Sequence, residues 1–335
     1  MTLSVVVPAY NEAENIPLVY AGVCQAMEEL AADFELIFVD DGSSDRTPVV
    51  VEALHDRDPR VKLVSLSRNF GHQAAVSAGI DAATGDALIM MDGDMQHPPQ
   101  VIPELVAEWR AGHDIVNARR IDTEDASAFK RASSRLFCAL LNRLSDVPIR
   151  SQAADFRLMN RKSYLALRAL PERDRFLRGL VSWVGFRQTE VPFVAAGRHA
   201  GKTKYSFLRM CKFALSGITG FSAVPLRMAT WLGCSGSVLA LIGGVYALWS
   251  KFVTGHVVWG WTSVIMAVLG IGSVQLTTIG ILGEYLAKTF AETKGRPLYV
   301  VRETVGLEQP AVPQAPTVYE LDTGQARVLT SVAGH

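Results

Sequence analysis

Residues 85–99 read GDALIMMDGDMQHPP, an apolar run that stops on two aspartates separated by one glycine. Ala87 to Met91 contains no polar residue, the pattern of a strand covered on both faces, and such strands belong to parallel sheets flanked by helices. Asp92-Gly93-Asp94 then falls at the carboxyl end of that strand, where open α/β sheets bind their ligands. The same grammar repeats on both sides of this stretch. Leu3–Val7, Phe34–Val39, Val61–Leu66 and Asp114–Ala118 are further strand candidates, with helix candidates near Glu14–Leu30, Thr47–His55, His72–Ala83 and Val101–Ala111. Alternating β and α at this spacing predicts a doubly wound, mostly parallel α/β sheet.

The segments after the strands are unusually polar. The first runs into Pro8-Ala9-Tyr10-Asn11-Glu12, the second into Asp40-Asp41-Gly42-Ser43-Ser44-Asp45, and the third into Arg68-Asn69-Phe70-Gly71-His72. No G-x-G-x-x-G follows the first strand, and Gly201-Lys202-Thr203 has Ala196 where G-x-x-x-x-G-K-[ST] needs its first glycine, which excludes dinucleotide and Walker-type phosphate sites. Asp92 and Asp94 can serve one divalent ion together, and all-oxygen donors suit Mg2+ or Mn2+. Such an ion would neutralise a diphosphate and help it leave. Asp41 is the candidate for accepting hydrogen bonds from a nucleobase or ribose, whereas Asp45 or Thr47 suits the cap of the next helix. His72, His97 and His113 read as loop and capping residues, because their spacing fits no ligand set.

Composition bounds the rest. The 335 residues allow one large domain or two moderate ones, and Lys+Arg equals Asp+Glu at 33 each, which argues against a nucleic-acid binder. Cysteines 24, 138, 211 and 234 form no CxxC pair, so neither a zinc site nor a disulfide framework is indicated. A content of 49% hydrophobic and 20% charged residues is greasy for a soluble enzyme of this size. The excess collects between Ala229 and Gly283. Ala229 to Trp249 carries no charge over a length that spans a hydrocarbon core of roughly 30 Å. Phe252 to Gly283 contains no Asp, Glu, Lys or Arg, with room for a second crossing at about 258–282. The expected organisation is therefore a catalytic domain at 1–200, an interfacial amphipathic segment at 201–227 and a transmembrane hairpin at 228–284. A return segment at 285–305 and a mostly disordered tail at 306–335 follow.

Lys202, Lys204, Arg209, Lys212 and Arg227 precede the hairpin and Lys288, Lys294, Arg296 and Arg302 follow it, against Lys251 alone in the connection. The positive-inside rule then places both termini and the N-terminal domain in the cytoplasm. The first residues lack the basic segment and cleavage site of a signal peptide. Gly236, Ala240 and Gly244 recur at four-residue spacing, which suits close helix contact within the hairpin or in a homo-oligomer.

Taken jointly, VVVPAYNE, FVDDGSSD, SRNFGHQAA, GDALIMMDGDMQHPP and DFRLMNR resemble, in order and spacing, the family 2 glycosyltransferases, which have the GT-A fold. RFLRGLVSWVGF, GKTKYS and the apolar C-terminal pair narrow the resemblance to the polyprenyl-phosphate glycosyltransferases, the branch of dolichyl-phosphate mannose synthase and bacterial undecaprenyl-phosphate glucosyltransferases. The resemblance covers roughly residues 3–300. It implies that Pro8, Tyr10, Glu12 and Asp41 hold the nucleoside, that Asp92, Asp94 and Gln96 arrange metal and diphosphate, and that Asp155 and Arg157 line the sugar side. Arg119, Lys130, Arg131, Ser134, Arg178 and Lys204 would form the positive wall for the acceptor phosphate. Asp94, Asp155, Arg119 and Arg178 are the implied catalytic residues. Gly93 stands where Ala is commoner, Ala154 where Gly is frequent, and Lys202 where Glu or Ser is usual.

The activity this implies is inverting, metal-dependent transfer of a hexose to a polyprenyl phosphate at the cytoplasmic membrane face. UDP-glucose is the first candidate donor and GDP-mannose the next. A non-catalytic, membrane-anchored nucleotide-sugar binder is the alternative, which needs no acceptor-phosphate pocket. A processive polysaccharide synthase would add a Q-x-x-R-W element and more membrane helices, and the sequence has neither.

Overall fold

β1 (Thr2–Ala9) and β2 (Asp33–Asp40) lie in parallel at the middle of the sheet, and after its first residue each is buried throughout. The computed structural model describes residues 1–121, 153–172, 175–194, 224–249, 252–253, 261–307, 318–322 and 325–329. Eight strands form one sheet in the order β7-β5-β6-β4-β1-β2-β3-β8. The others are β3 (Val61–Leu66), β4 (Ala87–Met90), β5 (Ile115–Ile121), β6 (Ala153–Asn160), β7 (Gln188–Val194) and β8 (Val301–Val305). β3, β2, β1 and β4 run parallel; β6 opposes both β4 and β5, β7 is parallel to β5, and β8 opposes β3. The mostly parallel sheet expected from the apolar runs is thus present, with antiparallel members at β6 and at the β8 edge.

Helices cover both faces. α1 (Ile16–Leu30), α2 (Thr47–His55) and α4 (Ile102–Arg110) lie on one side, where Ile16, Val19, Val23 and Met27 of α1 pack with Ile102 and Leu105 of α4. Those α1 positions recur at helical spacing, so a single stripe of one helix supplies the contact. The other face carries α3 (His72–Ala82) and α5 (Arg161–Arg168). α3 is built from small residues because it sits almost flat on β1 and β2. A Cβ at Gly79 would come within 2.2 Å of Val6 Cγ1, so the helix approaches the sheet at a distance only glycine permits. α6 (Leu177–Trp183) precedes β7.

The described residues divide into two compact units, one comprising those up to 194 and those from 296 onward, the other those from 224 to 295. The second unit holds α7 (Val224–Trp249) and α8 (Trp261–Thr293), which contact each other. Among the described residues one helix is long and apolar enough to cross a membrane, Val224–Tyr246 within α7, and most of its side chains are exposed, Trp231 at 75%. The second expected crossing begins outside the described residues and continues into α8. Of the interfacial segment expected at 201–227, residues 224–227 belong to α7 and the others lie outside the described residues.

Two features differ from the sequence reading. The return segment supplies β8, a member of the catalytic sheet: Ser67 N–H donates to Val300 O at 2.8 Å, and Tyr299, 2% exposed, donates to Asp81 at 2.7 Å. Within the stretch for which composition suggests disorder, β9 (Val318–Asp322) and β10 (Gln325–Leu329) pair antiparallel.

Candidate active site

Because β1 to β4 are parallel, their carboxyl ends bring four polar turns to one edge. The turns after β1 and β2 clasp each other. Asn11, left-handed at φ 57°, donates its N–H to Ser43 Oγ at 2.9 Å and accepts Ser44 N–H on its side-chain oxygen at 2.9 Å. Glu12 N–H donates to Thr47 Oγ1 at 3.0 Å. Asp45 accepts both N–H and O–H of Thr47, the capping role the sequence suggests, and these bonds hold its carboxyl below its ordinary pKa in spite of burial. Pro8 is buried in β1, while Tyr10 beside it is exposed at 48%.

Asp41 is 4% exposed and accepts the N–H of Phe70 at 2.7 Å and of Gly71 at 3.0 Å, so it orders the turn that opens α3. Burial pushes its pKa up against those two bonds. Each oxygen retains a second lone pair, so a nucleobase contact remains open to it.

The acidic turn after β4 is shaped by its own residues. Met95 is left-handed at φ 63°, an uncommon state for an unbranched apolar residue, and strain of this kind concentrates at binding sites. Gln96 donates its N–H and its side-chain amide to Asp94, at 3.1 and 2.7 Å, and so aims that carboxylate. His97 Nδ1 accepts the N–H of Asp92 at 2.9 Å while its ring stacks on Phe156. Burial lowers the pKa of His97. It is a neutral support for the turn, in line with the loop role read from sequence.

His72 is different. It is the first residue of α3, and its Nε2 lies 3.6 Å from Asp92 Oδ1 and 3.7 Å from Asp155 Oδ2. Burial pulls its pKa down, but the two carboxylates outweigh this and the net shift is upward. It joins the acidic turn to β6 instead of serving as a loop residue.

Alternation along β6 turns Phe156 and Leu158 into the core and puts Asp155 and Arg157 on the α3 face. Asp155 is held by Arg178 of α6, Nε to Oδ1 at 2.9 Å and Nη2 to Oδ2 at 3.0 Å, and by Arg157 Nη2 at 3.5 Å. Burial opposes its charge, yet His72 and the two guanidinium groups hold its carboxyl far below the usual range. Arg157 is fully buried, and desolvation lowers its pKa to about 10.

Asp92, Asp94, Asp155, Arg157 and Arg178 are therefore brought toward one place, joined by His72. Arg119 lies on the same face of β5 but pairs with Glu190 of β7 at 3.3 Å. Arg120, which the sequence reading passed over, donates to Gln96 Oε1 at 3.3 Å and so reaches the acidic turn from the other face. The period-two alternation of β5 was the available signal. Lys130, Arg131, Ser134 and Lys204 lie outside the described residues.

Among the described residues no group of three or more His, Cys, Asp or Glu could hold a metal ion unaided. The pair Asp92 and Asp94 fits Mg2+ or Mn2+ as a site completed by diphosphate oxygens, the usual arrangement where one or two carboxylates share the ion with substrate.

A family model described as glycosyl transferase family 2 matches residues 4–167. An uncharacterized glycosyltransferase of Synechocystis sp. is 41% identical over 306 residues, 91% of this chain and 96% of that one. A prophage bactoprenol glucosyl transferase homolog of Escherichia coli (strain K12) is 40% identical over 302 residues, 90% of this chain and 99% of its own. The bactoprenol glucosyl transferase of Shigella phage SfX is 39% identical over 302 residues, with the same 90% and 99% shares.

Proposed function

The chain belongs to glycosyl transferase family 2, and from that premise we propose that it transfers glucose from UDP-glucose to a polyprenyl phosphate at the cytoplasmic face of a membrane. The observation that carries this reading is His72 standing between Asp92 and Asp155, because it unites the diphosphate side and the sugar side of a donor site. The acceptor class comes from relatives of nearly equal length named bactoprenol glucosyl transferases.

Asp92 and Asp94 would hold Mg2+ or Mn2+, which when bound offsets the charge of the leaving diphosphate. Tyr10, Glu12 and Asp41 line the turns that would take the nucleoside. A phosphate monoester has a second pKa near 6 and is largely dianionic at neutral pH, so the acceptor oxygen is a nucleophile without a strong base. That oxygen attacks the anomeric carbon, the bond from that carbon to the diphosphate breaks, and the electron pair leaves with UDP. One such displacement converts an α-linked donor into a β-linked product. The depressed pKa of Asp155 makes it a poor base, which favours a role in orienting the sugar and fixing Arg178. Arg120 supplies positive charge beside the acidic turn and Arg178 supplies it beside Asp155, and the main task is positioning two anions together.

A lipid acceptor explains the apolar second unit. α7 would be the first crossing, and α8, whose first 23 residues from Trp261 to Gly283 carry no charge, the second. The test is transfer of radiolabelled glucose from UDP-glucose into a butanol-extractable, mild-acid-labile lipid by membranes containing the chain. No transfer from any nucleotide sugar, with nucleotide binding retained, would instead identify a non-catalytic binder.

A further inference from the structure

β8 delivers an arginine to the floor of the donor site through a break in strand register. It pairs with β3 as Val305 with Leu63, Thr304 with Val64 and Glu303 with Ser65, and then slips so that Val301 pairs with Leu66. Arg302 is the residue left over, the extra member of a bulge, and bulges re-aim side chains. Its Nη2 donates to Ser65 Oγ at 2.8 Å, and Ser65 Oγ in turn donates to Asp40 Oδ2 at 2.9 Å. The guanidinium stands 4.0 Å from that same carboxylate oxygen. Ser65 and Asp40 face each other across β3 and β2, and both are fully buried.

The second oxygen of Asp40 accepts the N–H of Ser43 at 2.9 Å, and Ser43 Oγ accepts the N–H of Asn11. A continuous series of hydrogen bonds therefore runs from β8 to the two turns that carry Tyr10, Glu12 and Asp41. A carboxylate without exposure is costly to bury unless a counter-charge or a full set of donors meets it. Arg302 provides the charge from a strand 237 positions further along the chain than Ser65.

We propose that Arg302 is a positioning residue for donor binding, holding Asp40 and through it the Asp41–Ser44 turn in the shape that accepts the nucleoside. The proposal rests on the donor-site reading above. Without the guanidinium, Asp40 loses its nearby positive charge and the turn it anchors loosens, although every group that would touch the nucleotide is still present. The donor site is then complete only when the strand following the apolar unit has docked.

The experiment uses the full chain in detergent, measuring UDP binding with Mn2+ by calorimetry and amide exchange across residues 40–44. Arg302→Ala should weaken UDP binding roughly tenfold, as loss of a hydrogen bond from a charged group does. It should also speed exchange at Ser43 and Ser44, while turnover at saturating donor stays within about twofold of the unaltered chain. Arg302→Lys should recover part of the affinity, since it restores charge without the planar fork. Glu303→Ala, which removes the exposed partner of Arg302 at 3.0 Å, should leave UDP affinity unchanged. Equal UDP affinity in the unaltered chain and Arg302→Ala overturns the proposal, whatever happens to Tm. Failure of the unaltered chain to bind UDP overturns the donor-site reading itself. If Arg302→Ala yields no folded protein, Arg302→Lys and Arg302→Gln carry the same comparison.

Discussion

Arg178 grips Asp155 with both ends of its guanidinium fork, Nε on Oδ1 at 2.9 Å and Nη2 on Oδ2 at 3.0 Å. Bidentate pairs of this kind fix orientation as well as charge. Asp155→Asn should lower turnover about 100-fold or more, and Arg178→Lys should do nearly the same, because an ammonium cannot reproduce the fork. The double variant should cost far less than the product of the two, the mark of residues acting as a unit. Additive losses would separate their roles.

The same pair makes a pH prediction. A carboxyl whose folded pKa is depressed contributes stability that is complete above its unfolded pKa, near 3.9, and that is lost only as pH falls toward the folded value. Asp155 should therefore produce no limb in a pH–rate profile between about pH 5 and 9. A limb in that window that disappears in Asp155→Asn would show it working as a base.

Asp94→Ala should reduce transfer by about 1000-fold while the protein still fractionates with membranes. Chelation of divalent ions should abolish activity and added Mn2+ or Mg2+ should restore it. Gln96→Ala should be milder, because Gln96 aims Asp94 through two hydrogen bonds and is itself no charge. Retained activity in Asp94→Ala would remove the metal role.

Two glycines at the ends of β2 and β4, the strands that flank β1, should respond in opposite ways. Gly42 has φ 68°, and a Cβ there would lie 2.4 Å from the carbonyl carbon of Arg68, so Gly42→Ala should cost about 2 kcal/mol or more. A Cβ at Gly93 would meet Pro8 O at 3.3 Å, a contact that small adjustments relieve. Gly93→Ala should keep most activity and lose little Tm. Thermal melts of both variants decide.

Glu35, buried at 4% exposure, accepts from Ser4, from Lys62 at 2.6 Å and from the N–H and O–H of Thr84. Burial alone would raise its pKa, but these donors lower it. Its contribution is thus full above the ordinary Glu value near 4.3 and lost as pH falls below it. Lys62→Met strips the counter-charge and should cost about 3 kcal/mol at pH 7. A Tm unchanged by that substitution would refute the reading.

Much of this site was legible because the strands of the parallel core are mostly apolar, β4 without interruption, and the end of each is marked by a cluster of polar residues. Asp92, Asp94 and Asp41 needed no more than that. The His72 bridge was not readable, since its partners are 20 and 83 positions away and only folding joins them. Arg119 and Arg120 are adjacent in sequence, so a motif picks either; the pleat decides which one meets Gln96. β8 escaped because VRETV is short and half exposed and follows a long apolar helix, which makes it read as a tether.

β7 and β8 belong to one sheet, yet the chain between them contains both long helices. A folded sheet cannot straddle a bilayer, so whatever leaves after β7 must come back before β8 on the side it started from. The number of traverses in that interval is therefore even, by parity alone and independently of any hydropathy threshold. If α7 passes through, a partner traverse is obligatory, and reporters fused before residue 195 and after residue 305 must always report the same compartment.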